Sequence, residues 1–310
     1  MKITCVEPLG ISQEQFEKLK REFAAHGHSF DYYMDRKEDA ATLATRMHEA
    51  EVAIISNIKL PTSVLEQCPR LQYLSVAFTG LDHIDLAYCK AHNILVQNAA
   101  GYSTTAVSEL AIGLMLDLLR QVTYFDGAIR RGEGRGMYLG RELKGKTVGV
   151  VGTGAIGTAV IRLLKAFGCK VLAYNRSEHP DVKELGASYV SLEHLLKDSD
   201  IVTLHVPLTS ETQHLIGANE LKIMKPSALL INTARGNVCN IEAVAEALRK
   251  CVILGAGFDV YENEPPLPNN HPLLNAPNCI CVPHIGYASR EAFDIRANIV
   301  FDHVRQYLGL

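Results

Sequence analysis

Midway along the chain, Gly152-Thr153-Gly154-Ala155-Ile156-Gly157 spaces three glycines as a phosphate-cradling turn requires, and an Arg, a Glu and a His follow at Arg235, Glu264 and His284. A dinucleotide site with a guanidinium, a carboxylate and an imidazole is a set of groups suited to hydride transfer to a keto acid. The turn follows the apolar run Thr147-Val148-Gly149-Val150-Val151, and Ile156, Val160, Leu163, Leu164 and Phe167 then recur at helical spacing until Gly168. In that context Gly152 makes the tight turn, Gly154 lets a pyrophosphate approach the backbone, and Gly157 lets helix pack closely on strand. The helix N-terminus adds free N–H groups and a partial positive charge.

Each of the three later residues lies just past an apolar strand pattern. Arg235 follows Leu229-Leu230-Ile231-Asn232-Thr233, Glu264 lies in Asp259-Val260-Tyr261-Glu262-Asn263-Glu264-Pro265, and His284 comes after Cys281-Val282-Pro283. In an open parallel sheet the carboxyl ends of the strands form the ligand crevice, so all three are expected on one rim. Arg235 offers a planar fork that holds a carboxylate and polarises the adjacent keto oxygen. An imidazole titrates close to neutrality, which suits His284 to give that oxygen a proton or take one from it, and Glu264 beside it would orient the ring and favour its charged form.

The strand Val171-Leu172-Ala173-Tyr174 ends in Asn175-Arg176-Ser177. A carboxylate there would receive the ribose hydroxyls of NAD. A neutral amide removes the repulsion toward a ribose phosphate, and Arg176 and Ser177 offer it charge and hydrogen bonds, so NADP(H) is favoured over NAD(H). The alternative is that Asn175 still binds the NAD ribose while Arg176 points to solvent.

Several elements must position these groups. Short β-branched runs alternate with helical patterns, which predicts an α/β protein with mostly parallel sheets. In the first half the strands are expected at Ile3–Val6, Glu51–Ser56, Leu71–Val76 and Ile94–Val96, with a helix opened by a Ser12/Gln15 capping box and carrying Phe16, Leu19, Lys20 and Phe23 on one face. In the second half strands should end near Val151, Tyr174, Val206, Thr233, Val260 and Val282. The segment Thr105–Leu116 reads as a helix apolar nearly all round, to be buried between domains or against a second subunit. Tyr124 to Leu143, rich in Gly and Arg without periodicity, is expected to be an arm or loop that a dimer exchanges. A final helix, Arg290 to Leu308, should turn Ala292, Ile295, Ile299 and Val304 inward.

Composition narrows the classes. The 310 residues are 47% hydrophobic and 21% charged, enough for two ordinary cores. A net charge of −3, with no basic run interleaved with aromatics, argues against nucleic acid as a partner. The carboxylate at Glu7 comes too early for a signal peptide, and no apolar stretch approaches the roughly 18 residues of a membrane span, so the expected location is the cytoplasm. Eight scattered cysteines (Cys5, Cys68, Cys89, Cys169, Cys239, Cys251, Cys279 and Cys281) read as small buried hydrophobes, and no metal is expected. Cys279 and Cys281 should share one face of a strand without the C-x-x-C turn that zinc favours.

These motifs, in this order, resemble the D-isomer-specific 2-hydroxy acid dehydrogenases, a family that includes D-lactate, D-glycerate and phosphoglycerate dehydrogenases and glyoxylate/hydroxypyruvate reductases. The resemblance spans nearly the whole chain: Leu143–Gly149, the glycine turn, His205-Val206-Pro207-Leu208, Asn232-Thr233-Ala234-Arg235-Gly236, Asp259–Pro265 and Pro283-His284-Ile285-Gly286. It implies two Rossmann/flavodoxin-like domains, with a cofactor domain, 99–285, inserted into a substrate domain, 1–98 plus 286–310, and hinges near Asn98–Gly101 and Ile285–Ser289. It implies that Arg235 binds substrate, Glu264 partners His284, and His284 is the acid/base. Gly152, Gly154, Ala155, Ile156, Gly157, Asn175, Arg176, Ser177, Val206, Pro207, Thr233, Ala234, Asp259 and Gly286 would bind cofactor. Val76, Ala77 and Gly80 would lie in the segment that presents backbone N–H groups to a small 2-keto or 2-hydroxy acid. Tyr102, Met137, Tyr138 and Tyr287 are candidates for the pocket wall, and a homodimer through the cofactor domain is expected. The departure is Asn175, where many relatives have Asp, and it leaves the cofactor open.

Other classes fit less of the chain. An NAD(H)-sensing corepressor-like protein shares the fold but would use long polar extensions absent here. A Rossmann-type methyltransferase leaves the Arg, Glu and His unexplained, and formate dehydrogenase pairs its His with Gln.

Overall fold

The computed structural model describes residues 1–263 and 265–310; Glu264, the expected partner of His284, lies outside the described residues. The chain forms two compact units, Met1–Ser103 with Ala288–Leu310, and Thr104–Tyr287. Both are α/β, with parallel sheets.

The first unit is built on β1 (Lys2–Cys5), β2 (Ser29–Tyr32), β3 (Val52–Ile55), β4 (Tyr73–Val76) and β5 (Leu95–Asn98), ordered β2-β1-β3-β4-β5. Every residue of the central β3 and β4 is buried, as expected for strands covered on both faces. Strand β2 escaped the sequence reading because only Phe30 of Ser29-Phe30-Asp31-Tyr32 is buried, so an edge strand shows no apolar run. The Ser12/Gln15 capping box forms: Ser12 N–H donates to Gln15 Oε1 at 2.8 Å and Gln15 N–H to Ser12 Oγ at 3.2 Å. It opens the helix Gln13–Ala25.

The last helix spans Arg290–Leu308 and starts from a Ser289 cap, but its inner face is not the expected stripe. Ala292 and Val304 are buried, whereas Ile295 is 47% exposed and Arg296 takes an inward place at 3%. A pattern that counts only apolar residues passes over an inward arginine.

The second unit carries β6 (Thr147–Val151), β7 (Lys170–Tyr174), β8 (Ser188–Tyr189), β9 (Ile201–Leu204), β10 (Leu229–Asn232), β11 (Gly255–Phe258) and β12 (Cys279–Cys281). Their order is β12-β11-β10-β9-β6-β7-β8, so the chain winds outward in both directions from the β6/β9 pair. That pair is the switch point where a doubly wound sheet opens its ligand crevice. Strand ends fall within two residues of those expected from sequence.

The apolar helix, Thr104–Arg120, lies on its own unit's sheet. Its Leu114 and Leu118 would meet a Cβ on Gly257 or Gly255 at 3.2 and 3.4 Å, so the two strand glycines admit the helix at close range. Its Ala111, Ile112, Leu114, Met115, Leu118 and Leu119 belong to that unit's core. The following segment is not wholly a loop, because Val122–Arg130 is helical. Gln121 at φ 55° breaks the preceding helix, and Asp117 accepts the Thr123 N–H at 2.9 Å to start the next. Sequence reading missed it because its apolar residues Val122 and Ile129 face outward, at 59% and 67% exposure.

Of the cysteines, Cys5, Cys68, Cys89, Cys169 and Cys239 are buried, Cys251 is exposed, and Cys279 and Cys281 are half-buried with sulfurs 3.7 Å apart. Among the described residues no helix is long and apolar enough to cross a membrane.

Candidate active site

The glycine turn has the form its spacing implies. Gly152 follows β6 at φ 95°, and a Cβ there would come within 2.5 Å of the His205 carbonyl oxygen. A Cβ on Gly157 would run into the Gly152 carbonyl, so the turn and the first helical turn touch through backbone alone. Gly154, the N-cap of the helix Ala155–Ala166, would carry its Cβ in open space and has no capping side chain. The N–H groups of Ala155, Ile156 and Gly157 in that first turn have no intrahelical acceptor. A backbone cradle open at Gly154, at the switch point of the sheet, fits a dinucleotide pyrophosphate.

The end of β7 lies beside it. Asn175 is half-buried, with Nδ2 donating to the Ser177 carbonyl at 2.9 Å and 3.2 Å from His179 Nε2, while Arg176 and Ser177 are exposed. The Tyr189 hydroxyl bonds Thr153 Oγ1 at 2.8 Å and accepts the His179 N–H at 3.1 Å, so one phenol ties the glycine turn to the ribose-side loop. Neither Tyr189 nor His179 was legible in sequence, because the two-residue β8 that carries the tyrosine leaves no pattern.

Val206 and Pro207 follow β9. Burial holds the His205 imidazole neutral, with its pKa pushed down to about 3, and its Nε2 lies 2.9 Å from Thr203 Oγ1. Thr233 and Ala234 follow β10. There Asn232, wholly buried, folds the strand end: its Oδ1 accepts the Ala234 N–H at 3.0 Å and its Nδ2 donates to the Arg235 carbonyl at 2.9 Å. Arg235 is half-buried, and its Nη1 donates to the Ala234 carbonyl at 2.8 Å. Gly236 behind it is required, since a Cβ would overlap the Tyr261 backbone.

Asp259 follows β11, 1% exposed, and accepts the Ile285 N–H at 2.7 Å on Oδ1 and the Gly286 N–H at 2.8 Å on Oδ2. A carboxylate on two N–H groups pins the chain immediately after His284. His284 itself sits at φ 54°, its N–H on the Val282 carbonyl at 3.0 Å and its ring edge-on to Tyr287 with centroids 5.3 Å apart. The Tyr261 hydroxyl donates to the same Val282 carbonyl at 3.0 Å. From sequence Asp259 was a cofactor residue only; its hold on the His284 bend comes from long-range pairing that spacing does not reveal.

Register brings Arg235 and His284 to one edge. Asn232 pairs with Phe258 and Phe258 with Cys281, so each of the two side chains stands three residues beyond one aligned row. They are two strands apart, about 10 Å at the spacing of a sheet. The pair His271 Nε2 and Glu262, 3.3 Å apart, serves the fold: His271 is 5% exposed and accepts the Leu273 N–H on Nδ1 as a helix cap.

In the other unit Val76 ends β4, with Ala77 and Gly80 just beyond it. Of the pocket-wall candidates, Tyr102 is buried and Tyr138 packs on Phe125 with centroids 4.9 Å apart. Met137 stands 97% exposed, and Tyr287 lies against His284.

A doubly wound sheet with a glycine cradle at its switch point, and a fork and an imidazole on the same carboxyl edge, defines a nicotinamide-dinucleotide-dependent oxidoreductase. Residues 112–286 match the family described as D-isomer specific 2-hydroxyacid dehydrogenase, NAD binding domain. Glyoxylate reductase of Thermococcus litoralis is 41% identical over 81% of this chain and 78% of its own length. Glycerate dehydrogenase of Methylorubrum extorquens is 36% identical over 96% of this chain and 95% of its own. The structure of D-lactate dehydrogenase from Aquifex aeolicus, complexed with NAD and lactic acid, superposes with a TM-score of 0.85 at 31% identity, covering 100% of this chain and 96% of that one. The chain belongs to the D-isomer-specific 2-hydroxyacid dehydrogenase family. It is an enzyme that moves hydride between a nicotinamide dinucleotide and a 2-keto or 2-hydroxy acid, and the corepressor alternative is not favoured.

Proposed function

We propose that the protein reduces a short 2-keto acid, glyoxylate or hydroxypyruvate, with NADPH preferred to NADH. The observation that carries the reading is the placement of Arg235 and His284 beyond one register row of the sheet that holds the glycine cradle. The names of the relatives at 41% and 36% identity support the substrate class.

The dinucleotide supplies the hydride when bound, held by the turn Gly152–Gly157 and flanked by Val206, Pro207, Thr233, Ala234 and Gly286. Asn175, Arg176 and Ser177 receive its adenosine ribose, and an amide with an exposed guanidinium beside it favours a ribose phosphate. Arg235 holds the substrate carboxylate with two parallel N–H bonds and polarises the keto oxygen. His284 delivers a proton from its imidazole to that oxygen as the carbon is reduced, and we assign Glu264 as its partner. Asp259 acts through the chain, by pinning Ile285 and Gly286.

The domains we assign are 1–98 with 286–310 for substrate and 99–285 for cofactor, and we place the enzyme in the cytoplasm. The cofactor unit leaves Val122, Tyr124, Ile129, Met137 and Leu139 exposed, apolar side chains that a second copy would cover, giving a homodimer. Sedimentation should then return twice the chain mass, and a monomer at micromolar concentration would end that part of the reading.

The deciding experiment is a panel of glyoxylate, hydroxypyruvate, pyruvate and bulkier keto acids, each assayed with NADH and with NADPH. The expected result is highest kcat/KM for one of the first two acids, with NADPH ahead by about tenfold, the worth of one charge-assisted contact. Preference for a bulky acid would refute the substrate class, and preference for NADH would refute the role of Arg176.

A further inference from the structure

In the first unit, the chain leaving β4 is held by its carbonyls. The Ala99 N–H donates to the carbonyls of Val76 and Phe78 at 2.9 and 3.1 Å, and Asn98 Nδ2 donates to that of Thr79 at 2.6 Å. The Ala77 carbonyl accepts from Ser56 Oγ at 3.1 Å and from Arg296 Nη1 at 3.4 Å. With four successive carbonyls on protein donors, the N–H groups that follow are turned the other way. Among the described residues those of Thr79 and Gly80 bond no acceptor, and adjacent free N–H groups in a bend form a concavity suited to an anion.

Arg296 is the costly part of this arrangement. It is 3% exposed, its Nη2 donates to the Leu9 carbonyl at 3.1 Å and its Nη1 to Ser56 Oγ at 3.1 Å. Its guanidinium lies over the Phe293 ring at 4.1 Å and near that of Tyr102 at 5.8 Å. Glu7, 1% exposed, supplies nearby opposite charge and accepts the Ser56 N–H at 2.7 Å. Burying a guanidinium in a helix–sheet seam costs desolvation that an apolar side chain of like volume would avoid. What the arginine adds is a charged, fixed set of donors on Ala77, Ser56 and Leu9.

We propose that Arg296 is a positioning residue for substrate binding: through Ser56 and the Ala77 carbonyl it sets the bend after β4 so that the Thr79 and Gly80 N–H groups are presented to the substrate carboxylate. This rests on the reading that the Val76–Gly80 segment receives that carboxylate.

The test compares Arg296→Met, Arg296→Lys and Ser56→Ala in the full-length protein, with hydroxypyruvate and NADPH. Loss of the charged donor in Arg296→Met should raise KM for the keto acid about tenfold, and loss of the relaying hydroxyl in Ser56→Ala about threefold. Arg296→Lys, which keeps one donor, should fall between Arg296→Met and wild type. The NADPH dissociation constant, read by fluorescence, should not move, and kcat should stay within about threefold. Hydrogen exchange of the peptide covering Phe78–Gly80 should quicken in the same order, a readout that needs no turnover. An unchanged KM in both Arg296→Met and Ser56→Ala, even with a lowered Tm, would overturn the proposal, because a purely structural arginine predicts that pattern. Should Arg296→Met fail to fold, Ser56→Ala and Arg296→Lys decide alone. A wild-type protein inert toward every keto acid would instead refute the proposed function, and unchanged exchange would then refute the positioning by itself.

Discussion

Replacing His284 with Asn lowers kcat/KM for hydroxypyruvate by at least about 10²-fold and leaves NADPH binding intact, since general acid catalysis contributes on the order of 10² to 10⁴. Asparagine is the informative substitution. The residue sits at φ 54°, a region that Asn enters more readily than other non-glycine residues, so the backbone of the bend should survive. The contacts that shape the bend are the His284 N–H on Val282 and the Ile285 and Gly286 N–H groups on Asp259, none of which uses the imidazole. The amide can still hydrogen-bond the substrate oxygen but does not deliver a proton to it at neutral pH. The glycine cradle follows β6, four strands away across the sheet, so fluorescence titration with NADPH should match wild type. Turnover near the wild-type rate would remove the acid/base role.

The second large effect is expected from Arg235→Lys, with kcat/KM falling about 10²-fold, chiefly through KM. Lysine keeps the charge, so simple attraction to a carboxylate persists. It loses the fork, and a point charge cannot make two parallel bonds; hydrogen bonds to charged groups contribute about 1.5–3 kcal/mol each. The local backbone should be retained, because Asn232 holds the Arg235 carbonyl and the Ala234 N–H whatever side chain follows. Steady-state kinetics with unchanged KM and kcat would contradict this role.

Much of the architecture was legible because its signals are local. Parallel strands buried on both faces leave apolar runs, the Ser12/Gln15 box marks a helix start, and the glycine turn must lie between β6 and its helix. Arg235 and His284 could be placed because a strand end in a parallel sheet faces the crevice wherever the partner strands lie. Other features depend on pairing that no window contains. Asp259 reaches residues 26 and 27 positions away, and Tyr189 joins two loops across the sheet edge. Arg296 was missed for a different reason: periodicity gave its inward place to Ile295, and only the acceptors on Leu9, Ser56 and Ala77 make that place suitable for an arginine. The helix Val122–Arg130 shows the converse: it buries Ala128 and half-buries Phe125 while Val122 and Ile129 stay exposed, so its pattern shows no clean apolar face and its Gly and Arg content read as irregular. Glu264, named from sequence, lies outside the described residues, and its partnership with His284 is a matter for mutagenesis.

The most direct test of the central claim is isotopic. The protein is incubated with hydroxypyruvate and NADPH carrying deuterium at the transferable position of the nicotinamide, and the product alcohol is examined for label and handedness. The account predicts one deuterium on C2 of D-glycerate. An unlabelled alcohol, or the L-enantiomer, would contradict it.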